Sequence, residues 1–152
     1  MSQAMKKMVA QHMECDEQLN KVETALQQNE LAAAERNFCL FSEQLNQHFM
    51  LEEERLFPAF EKATGMRDGP TTVMRAEHID IRALRDELAT ALQAGEVTVA
   101  LAVIDTLNVL IQQHNVKEEN ILYPMCGGSV PDLMTVLGFG GGCGGTCSCA
   151  AT

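Results

Sequence analysis

The sequence predicts an all-α fold, an up-down-up-down four-helix bundle built from a duplicated helical hairpin. Apolar residues recur at helical spacing in four long stretches, and strand-like alternation is scarce. The breaks between the stretches are short, so successive helices are expected to be antiparallel. The two halves of the chain also repeat each other. Each stretch of roughly 25 residues makes a helix of roughly 37 Å, since an α-helix rises about 1.5 Å per residue.

The first hairpin is predicted from local signals at its ends. Its first helix runs from about residue 3 to 28, with Ser2 in place as an N-cap that accepts a backbone hydrogen bond. Its second helix runs from about residue 30 to 56. We expect an interruption near Pro58, because proline lacks the amide that a helix interior needs.

The second hairpin has similar signals. Its first helix begins around Pro70, a residue favoured in the first turn, and ends before Gly95. Its second helix runs from about residue 96 to 122 and is expected to stop at Tyr123 and Pro124.

The two hairpins correspond at a constant offset of 66 residues. The tetrapeptide Thr-Ala-Leu-Gln at 24–27 recurs at 90–93. The motif H-x3-E-E-x2-L-[FY]-P occurs at 48–58 and again at 114–124, and every histidine obeys the offset. We infer that the hairpin is duplicated and that its two copies pack around an approximate two-fold axis.

The histidines and two glutamates predict a metal site inside the bundle. Residues i and i+4 lie on one helix face, so the histidine and first glutamate of each motif point the same way. The other two histidines add one imidazole from the preceding helix of each hairpin. Four imidazoles and two carboxylates are costly to bury without a cation, and each carboxylate can bridge two ions. The predicted ligands are His12, His48, Glu52, His78, His114 and Glu118.

The polar residues around these ligands have simpler expected roles. A solvated acidic edge is expected from Glu53, Glu54 and Glu119. The candidates for holding the imidazoles through hydrogen bonds are Asp16, Asp80 and Asp105. The Leu-aromatic-Pro end of each motif is expected to pack and to stop its helix.

Composition and charge limit which partners and which cellular compartment we expect for the protein. The formal net charge of −10 argues against nucleic acid as a partner, because phosphate binding needs a positive surface. No run of about 18 apolar residues is present, so no membrane span is expected. The N-terminal residues turn polar too soon for a signal peptide, which favours the cytoplasm and reduced cysteines. We find no phosphate loop, nucleotide motif or Ser/His/Asp constellation.

The order His, H-x3-E, His, H-x3-E on four helices resembles the hemerythrin-like (HHE cation-binding) family. The resemblance covers about residues 5–125 and is closest to the di-iron repair-of-iron-centres proteins. It implies two non-haem iron ions, bridged by Glu52 and Glu118 and by an oxo or hydroxo group. Mixed imidazole and carboxylate ligands also suit manganese or zinc. The resemblance implies that the histidines pair on the ions as His12 with His114 and His48 with His78.

The sequence departs from the pattern of the oxygen-carrying hemerythrins at two places. Met74 stands where those carriers have an extra histidine, and H-x3-E at His114 and Glu118 replaces their H-x4-D. Fewer protein ligands leave more open metal positions, which favours reaction with small molecules or metal release. The repair proteins typically carry an N-terminal cysteine-containing domain, whereas this sequence begins directly at the bundle.

The chain is expected to divide into a bundle, residues 1–130, and a flexible Gly/Cys-rich tail, residues 131–152. An apolar segment at 133–137 is expected to cap the bundle. The tail thiols either are incidental or handle a soft metal, iron or sulfur. The thiols in question are Cys143, Cys147 and Cys149, with Cys126 as a possible fourth. Cys15 and Cys39 are expected to be small core residues.

The sequence is compatible with three functions. The first is iron–sulfur cluster repair or iron supply under oxygen or nitric oxide stress, with an iron–sulfur protein as partner. The second is binding, sensing or scavenging of oxygen or nitric oxide. The third is reduction of nitric oxide or peroxide at the two irons. The cysteine tail favours the first, since a binder needs no mobile thiols.

Overall fold

Residues 1–140 are described by the structure, a computed structural model, and this part of the chain contains helices and no strand. The all-α prediction is confirmed. The elements in chain order are α1 Gln3–Gln27, α2 Leu31–Leu51, the π-helical turn π1 Glu52–Leu56, α3 Phe57–Thr64, α4 Pro70–Gln93, α5 Val97–Lys117, the π-helical turn π2 Glu118–Leu122, α6 Tyr123–Ser129 and α7 Leu133–Val136.

The turns of the two hairpins are built in the same way. Asn29 and Gly95, which correspond in the repeat, both have a positive φ, of 58° and 68°. Each turn is closed by a backbone hydrogen bond that spans five residues, from Glu30 to Ala25 at 2.8 Å and from Glu96 to Ala91 at 2.9 Å. A left-handed residue with such a bond ends a helix and reverses the chain. The repeat in the sequence is therefore a repeat in backbone geometry.

The four long helices form a closed ring of contacts. Within the hairpins α1 packs on α2 and α4 packs on α5, and the hairpins meet where α1 contacts α5 and α2 contacts α4. At the end opposite the hairpin turns, α3, α6 and α7 extend the packing, with α3 against α6 and both α6 and α7 against α1. Every long helix therefore directs one face toward a common interior.

The expected helix stops at the two prolines are wrong, although the interruption of the α-helix expected near Pro58 is present as the π-helical turn before it. The chain stays helical through Pro58 into α3 and through Pro124 into α6. Each proline follows a π-helical turn, in which Phe57 donates its amide to Glu52 and Tyr123 donates to the corresponding glutamate, five residues back. This wider turn accommodates a residue that cannot make the α-helical bond and would clash with the preceding turn.

Two apolar clusters fill the interior on either side of the predicted ligands. The cluster nearer the hairpin turns includes Leu19, Phe41, Ile81 and Ile111. The other cluster, nearer the chain ends, is joined by Leu133 and Leu137 from α7 and the residue that follows it. The apolar segment at 133–137 thus packs on the bundle as expected. Both clusters exclude water from the layer between them.

The two helical cysteines differ in exposure. Cys15 is buried in the cluster nearer the turns, as predicted, whereas Cys39 is exposed on α2. The core assignment of Cys39 is therefore wrong, because this residue lies on the solvent side of its helix.

The helical run Val97–Ser129 is long and apolar enough to cross a membrane by length and composition, with a mean hydropathy of 1.2 in its most apolar window. Ile104, Leu107 and Ile111 of this run lie in the cluster nearer the turns. A helix that packs in a bundle core passes the same test of length and composition, so the expectation of no membrane span stays a prediction.

Candidate metal centre

The six predicted ligands form one buried layer between the two apolar clusters. His12 lies on α1 between Met8 of one cluster and Cys15 of the other, and His78 lies on α4 between Met74 and Ile81 in the same way. All six side chains are buried, and both glutamates are 0% exposed: the set is His12, His48, Glu52, His78, His114 and Glu118. Carboxylates this deep need a partner of opposite charge.

The layer divides into two groups of four donors, and the first lies at the α1–α2 hairpin. It comprises His12, His48, Glu52 and Glu118, whose donor atoms lie within 4.8 Å of one another. Nε2 of His12 is 3.0 Å from Nε2 of His48 and 3.0 Å from Oε1 of Glu118. Nε2 of His48 is 3.4 Å from Oε1 of Glu52.

The second group lies at the α4–α5 hairpin and shares both glutamates with the first. It comprises Glu52, His78, His114 and Glu118. Nε2 of His78 is 3.2 Å from Oε1 of Glu52, and Nε2 of His114 is 3.3 Å from Oε2 of Glu118. Both carboxylates therefore stand between the two pairs of imidazoles, where each can contribute to both groups.

The histidine pairing implied by the family resemblance differs from the arrangement in the structure. The structure groups the histidines by hairpin, His12 with His48 and His78 with His114. The reason is that the helices of one hairpin are direct neighbours, which brings the ring centroids within 4.7 Å and 4.9 Å.

The donor atoms fit metal ions in chemistry and in spacing. Four buried atoms of the second group have no hydrogen-bond partner: Oε1 of Glu52, Nε2 of His78, Nε2 of His114 and Oε2 of Glu118. Buried polar atoms are nearly always satisfied, so four orphans that face each other indicate a cation. Around an ion with bonds of about 2.0–2.2 Å, adjacent ligand atoms are roughly 3 Å apart. Imidazole with carboxylate suits iron, manganese or zinc.

All four imidazoles are held by hydrogen bonds from their other nitrogen. Nδ1 of His48 donates to Gln11 at 2.7 Å, and Nδ1 of His114 donates to Glu77 at 2.9 Å. These two acceptors correspond in the repeat, each one residue before a histidine. Because Nδ1 carries the proton, Nε2 presents its lone pair to the centre.

The other two imidazoles donate a hydrogen bond to the glutamate that directly follows a predicted bridging glutamate. Nδ1 of His12 donates to Glu119 at 2.7 Å, and Nδ1 of His78 donates to Glu53 at 2.6 Å. Glu53 in turn accepts two hydrogen bonds from Arg82, at 2.7 and 3.0 Å. Glu53 and Glu119 are thus more than a solvated edge, since they orient the histidines.

The acidic residues chosen from sequence for this orienting role are not the ones that perform it. Among the hydrogen bonds of residues 1–140, Asp16 accepts from Gln112 rather than from an imidazole, and Asp80 and Asp105 make no side-chain bond to a histidine. The signal that would have found the true acceptors was adjacency to the ligands at the 66-residue offset.

The electrostatics of the centre favour a cation. Burial and the charge of Glu118 raise the pKa of Glu52. Burial alone would raise the pKa of Glu118 too, but the close contacts with Glu52 and three histidines hold it well below the usual value. Burial lowers the pKa of His114, yet the close carboxylate of Glu118 and the charge of Glu52 raise it to about 9. Protons thus supply the positive charge that metal ions can replace.

Tyr123 belongs to the centre, although the sequence was interpreted to give it only a packing role. Its hydroxyl donates to Oε2 of Glu52 at 2.7 Å and lies 3.1 Å from Nε2 of His12. A π-helical turn places residues i and i+5 on one face, which carries Tyr123 toward Glu118. The signal was the Phe-to-Tyr difference between the two copies of the motif.

The cysteines predicted to handle metal or sulfur stand apart from these donors. Cys126 is fully buried in the cluster nearer the chain ends, and burial raises the pKa of its thiol to about 12. It is protonated at neutral pH and is in neither donor group. Cys143, Cys147 and Cys149 lie outside the described residues, so the idea that the four thiols act together stays a prediction.

Comparison with family models matches residues 3–126 to the Hemerythrin HHE cation binding domain. Comparisons with curated proteins and with solved structures gave no match. The matched range contains all six predicted ligands, both donor groups and Tyr123. On this match, and with the buried histidine and glutamate cluster that could hold metal, the chain belongs to the hemerythrin HHE cation-binding domain family.

Proposed function

We propose that the cluster holds two iron ions, bridged by Glu52 and Glu118 and by an oxo or hydroxo group, within an up-down-up-down bundle. One observation carries this proposal: the two donor groups share both carboxylates. The choice of iron over manganese or zinc rests on the family resemblance. The bundle order is supported by the short hairpin turns and the ring of helix contacts.

Such a pair of irons, when bound, would supply open positions for small molecules and redox chemistry. The protein's part is to hold and shield the donors. The Nδ1 hydrogen bonds fix the imidazole planes, and the apolar clusters exclude water. Until cations bind, protons at the centre balance the charge of the carboxylates.

The role we put first is iron supply to, or repair of, an iron–sulfur protein in the cytoplasm under oxygen or nitric oxide stress. Two features support it. Four histidines and two glutamates are fewer protein ligands than the oxygen carriers have, which favours metal release. Three cysteines within residues 143–149 supply thiols suited to receiving iron or sulfur.

Iron transfer to a metal-free iron–sulfur protein tests this role, with inorganic sulfide and a thiol reductant supplied. Cluster formation is followed by its visible absorption. We expect the iron-loaded wild type to transfer iron faster than a variant with Cys143→Ser, Cys147→Ser and Cys149→Ser. The exposed Cys39 provides the matched control, because Cys39→Ser removes a thiol without touching the tail. Equal rates for all three proteins would show that the tail thiols are incidental, and no cluster formation with the iron-loaded wild type would overturn the transfer role.

A second role, binding of oxygen or nitric oxide, is favoured by a groove beside one of the proposed ligands. A cavity of about 260 Å³ between α1 and α2 is lined by Gln11, Cys15, Leu51 and the buried His48. Anaerobic titration of the iron-loaded protein with each gas tests it. A reversible spectral adduct would favour binding, whereas consumption of nitric oxide or peroxide over many turnovers would favour a reductase. No spectral change with either gas would overturn both.

A further inference from the structure

The hydroxyl of Tyr123 lies among the donor atoms of the first group. It is 2.7 Å from Oε2 of Glu52, 3.1 Å from Oε1 of Glu118, 3.1 Å from Nε2 of His12 and 3.4 Å from Nε2 of His48. The side chain is 0% exposed, and its ring stacks on that of His12. One phenol oxygen thus contacts every residue of this group.

Among residues 1–140, no such oxygen contacts the two histidines of the second group. Phe57 occupies the corresponding position of the repeat, after the other π-helical turn, and its ring centroid lies 5.7 Å from that of His78. The donor atoms of the second group are the ones left without hydrogen-bond partners. At this position of the repeat the two halves of the centre differ by a single hydroxyl, although their π-helical turns and histidines correspond.

Hydrogen bonding alone does not account for the position of this hydroxyl. Because Nδ1 of His12 and Nδ1 of His48 donate to Glu119 and Gln11, their Nε2 atoms present lone pairs only 3.0 Å apart. A phenol has one proton, and Glu52 at 2.7 Å is its nearest acceptor. One phenol proton does not satisfy Oε1 of Glu118 and the two Nε2 atoms, which need further protons when no metal is bound; a cation in their place satisfies all of these atoms together.

We propose that the phenol oxygen of Tyr123 is a seventh protein ligand, at the metal position bounded by His12 and His48, and that the two metal positions are therefore chemically different. This proposal rests on the proposed metal centre. Binding a ferric ion through this oxygen exchanges the hydroxyl proton for the metal, and the proton passes to solvent, with no change in oxidation state. The position at His78 and His114 keeps one more site without a protein ligand.

A ferric ion bound to a phenolate gives a charge-transfer band in the visible and resonance-enhanced phenolate vibrations. We expect both in the ferric wild type. Tyr123→Phe should lose them completely while it keeps two irons per chain, because phenylalanine preserves the ring packing, as Phe57 does in the other half. Phe57→Leu, which changes the other copy, should leave the band in place.

Isotope labelling tests the same proposal without any variant. The chain contains a single tyrosine, so ring-deuterated tyrosine labels Tyr123 alone and should shift every enhanced phenolate mode. Two irons with no phenolate band, or a band that survives Tyr123→Phe, would overturn the ligand and leave the di-iron centre standing. Absence of stoichiometric metal in the wild type would overturn both.

Discussion

Gln11 and Glu77 occupy corresponding positions of the two hairpins, and each accepts a hydrogen bond from the histidine of the next helix. Oε1 of Gln11 is 2.7 Å from Nδ1 of His48, and Oε1 of Glu77 is 2.9 Å from Nδ1 of His114. One acceptor is neutral and the other is an anion that also pairs with Lys117. The two halves therefore polarise their imidazoles unequally.

Replacing Glu77 with Gln should weaken metal binding at the second donor group. An anionic acceptor makes the imidazole a stronger ligand, and changes in such partners cost about 10- to 100-fold in metal affinity. We expect about a tenfold loss in a competition titration against a chelator. Gln11→Glu is the matched change at the other half and should strengthen binding. Equal affinities for Glu77→Gln and wild type would contradict this role.

Removing a carboxylate that the two donor groups share should abolish binding of two ions. Glu52 and Glu118 belong to both donor groups, so Glu52→Gln or Glu118→Gln removes a ligand from each. We expect at most one metal ion per chain by elemental analysis. Glu54→Gln, an exposed neighbour on the same turn, should keep two. Two ions in either bridging variant would remove that residue from the bridge.

Acid should weaken the contact that joins α3 to α4. Glu61 accepts from Arg75 and from Thr71, each at 2.6 Å. Burial alone would raise the pKa of Glu61. The hydrogen bonds from Arg75 and Thr71 have the larger effect and bring the pKa below its usual 4.5. A carboxyl with a lowered pKa stabilises the fold above the usual value and loses that effect as pH falls through the folded pKa.

The variant Glu61→Gln measures this effect. We expect it to lower the free energy of unfolding of the metal-free protein by about 1 kcal/mol at pH 6. The difference from wild type should shrink as pH falls below 4.5. Urea unfolding of both proteins at several pH values measures this difference in the free energy of unfolding. A difference that grows with acid would show that the sign is wrong.

The hairpin turns should respond differently to side chains. Gly95 has φ of 68°, and an added Cβ would meet only Leu31 at an ordinary 3.7 Å. The left-handed backbone is therefore the main cost of Gly95→Ala, about 1 kcal/mol. Asn29→Gly, at the corresponding turn with φ of 58°, should be neutral or stabilising. Thermal unfolding of the two variants measures these effects. An equal loss of stability in both would contradict the idea that left-handed backbone strain is the cause.

The long helices and the cluster were predictable because both depend on patterns along the chain. Helical periodicity located α1, α2, α4 and α5, and the 66-residue repeat brought out the histidines and glutamates. The continuation through Pro58 and Pro124 was not predictable from the α-helical rule. That rule forbids proline in a helix interior, whereas a π-helical turn removes the need for its amide.

Contacts between side chains of neighbouring helices were not predictable from helical periodicity either. The imidazoles donate hydrogen bonds to Gln11, Glu53, Glu77 and Glu119, and these bonds depend on the height and rotation at which neighbouring helices pack. The hydroxyl of Tyr123 contacts the centre from the residue after a π-helical turn, which directs that residue differently from an α-helical turn. Periodicity states which face a residue is on, but it does not state which side chain of the next helix meets it.

Metal analysis of protein purified without oxygen tests the central claim most directly, with Mössbauer spectra of the iron-57-loaded form. The shared carboxylates and the orphaned donor atoms predict two metal ions per chain. The family resemblance predicts that these are irons, magnetically coupled when oxidised. Zinc alone, or no stoichiometric metal, would contradict the assignment of the buried histidines and glutamates as a di-iron centre.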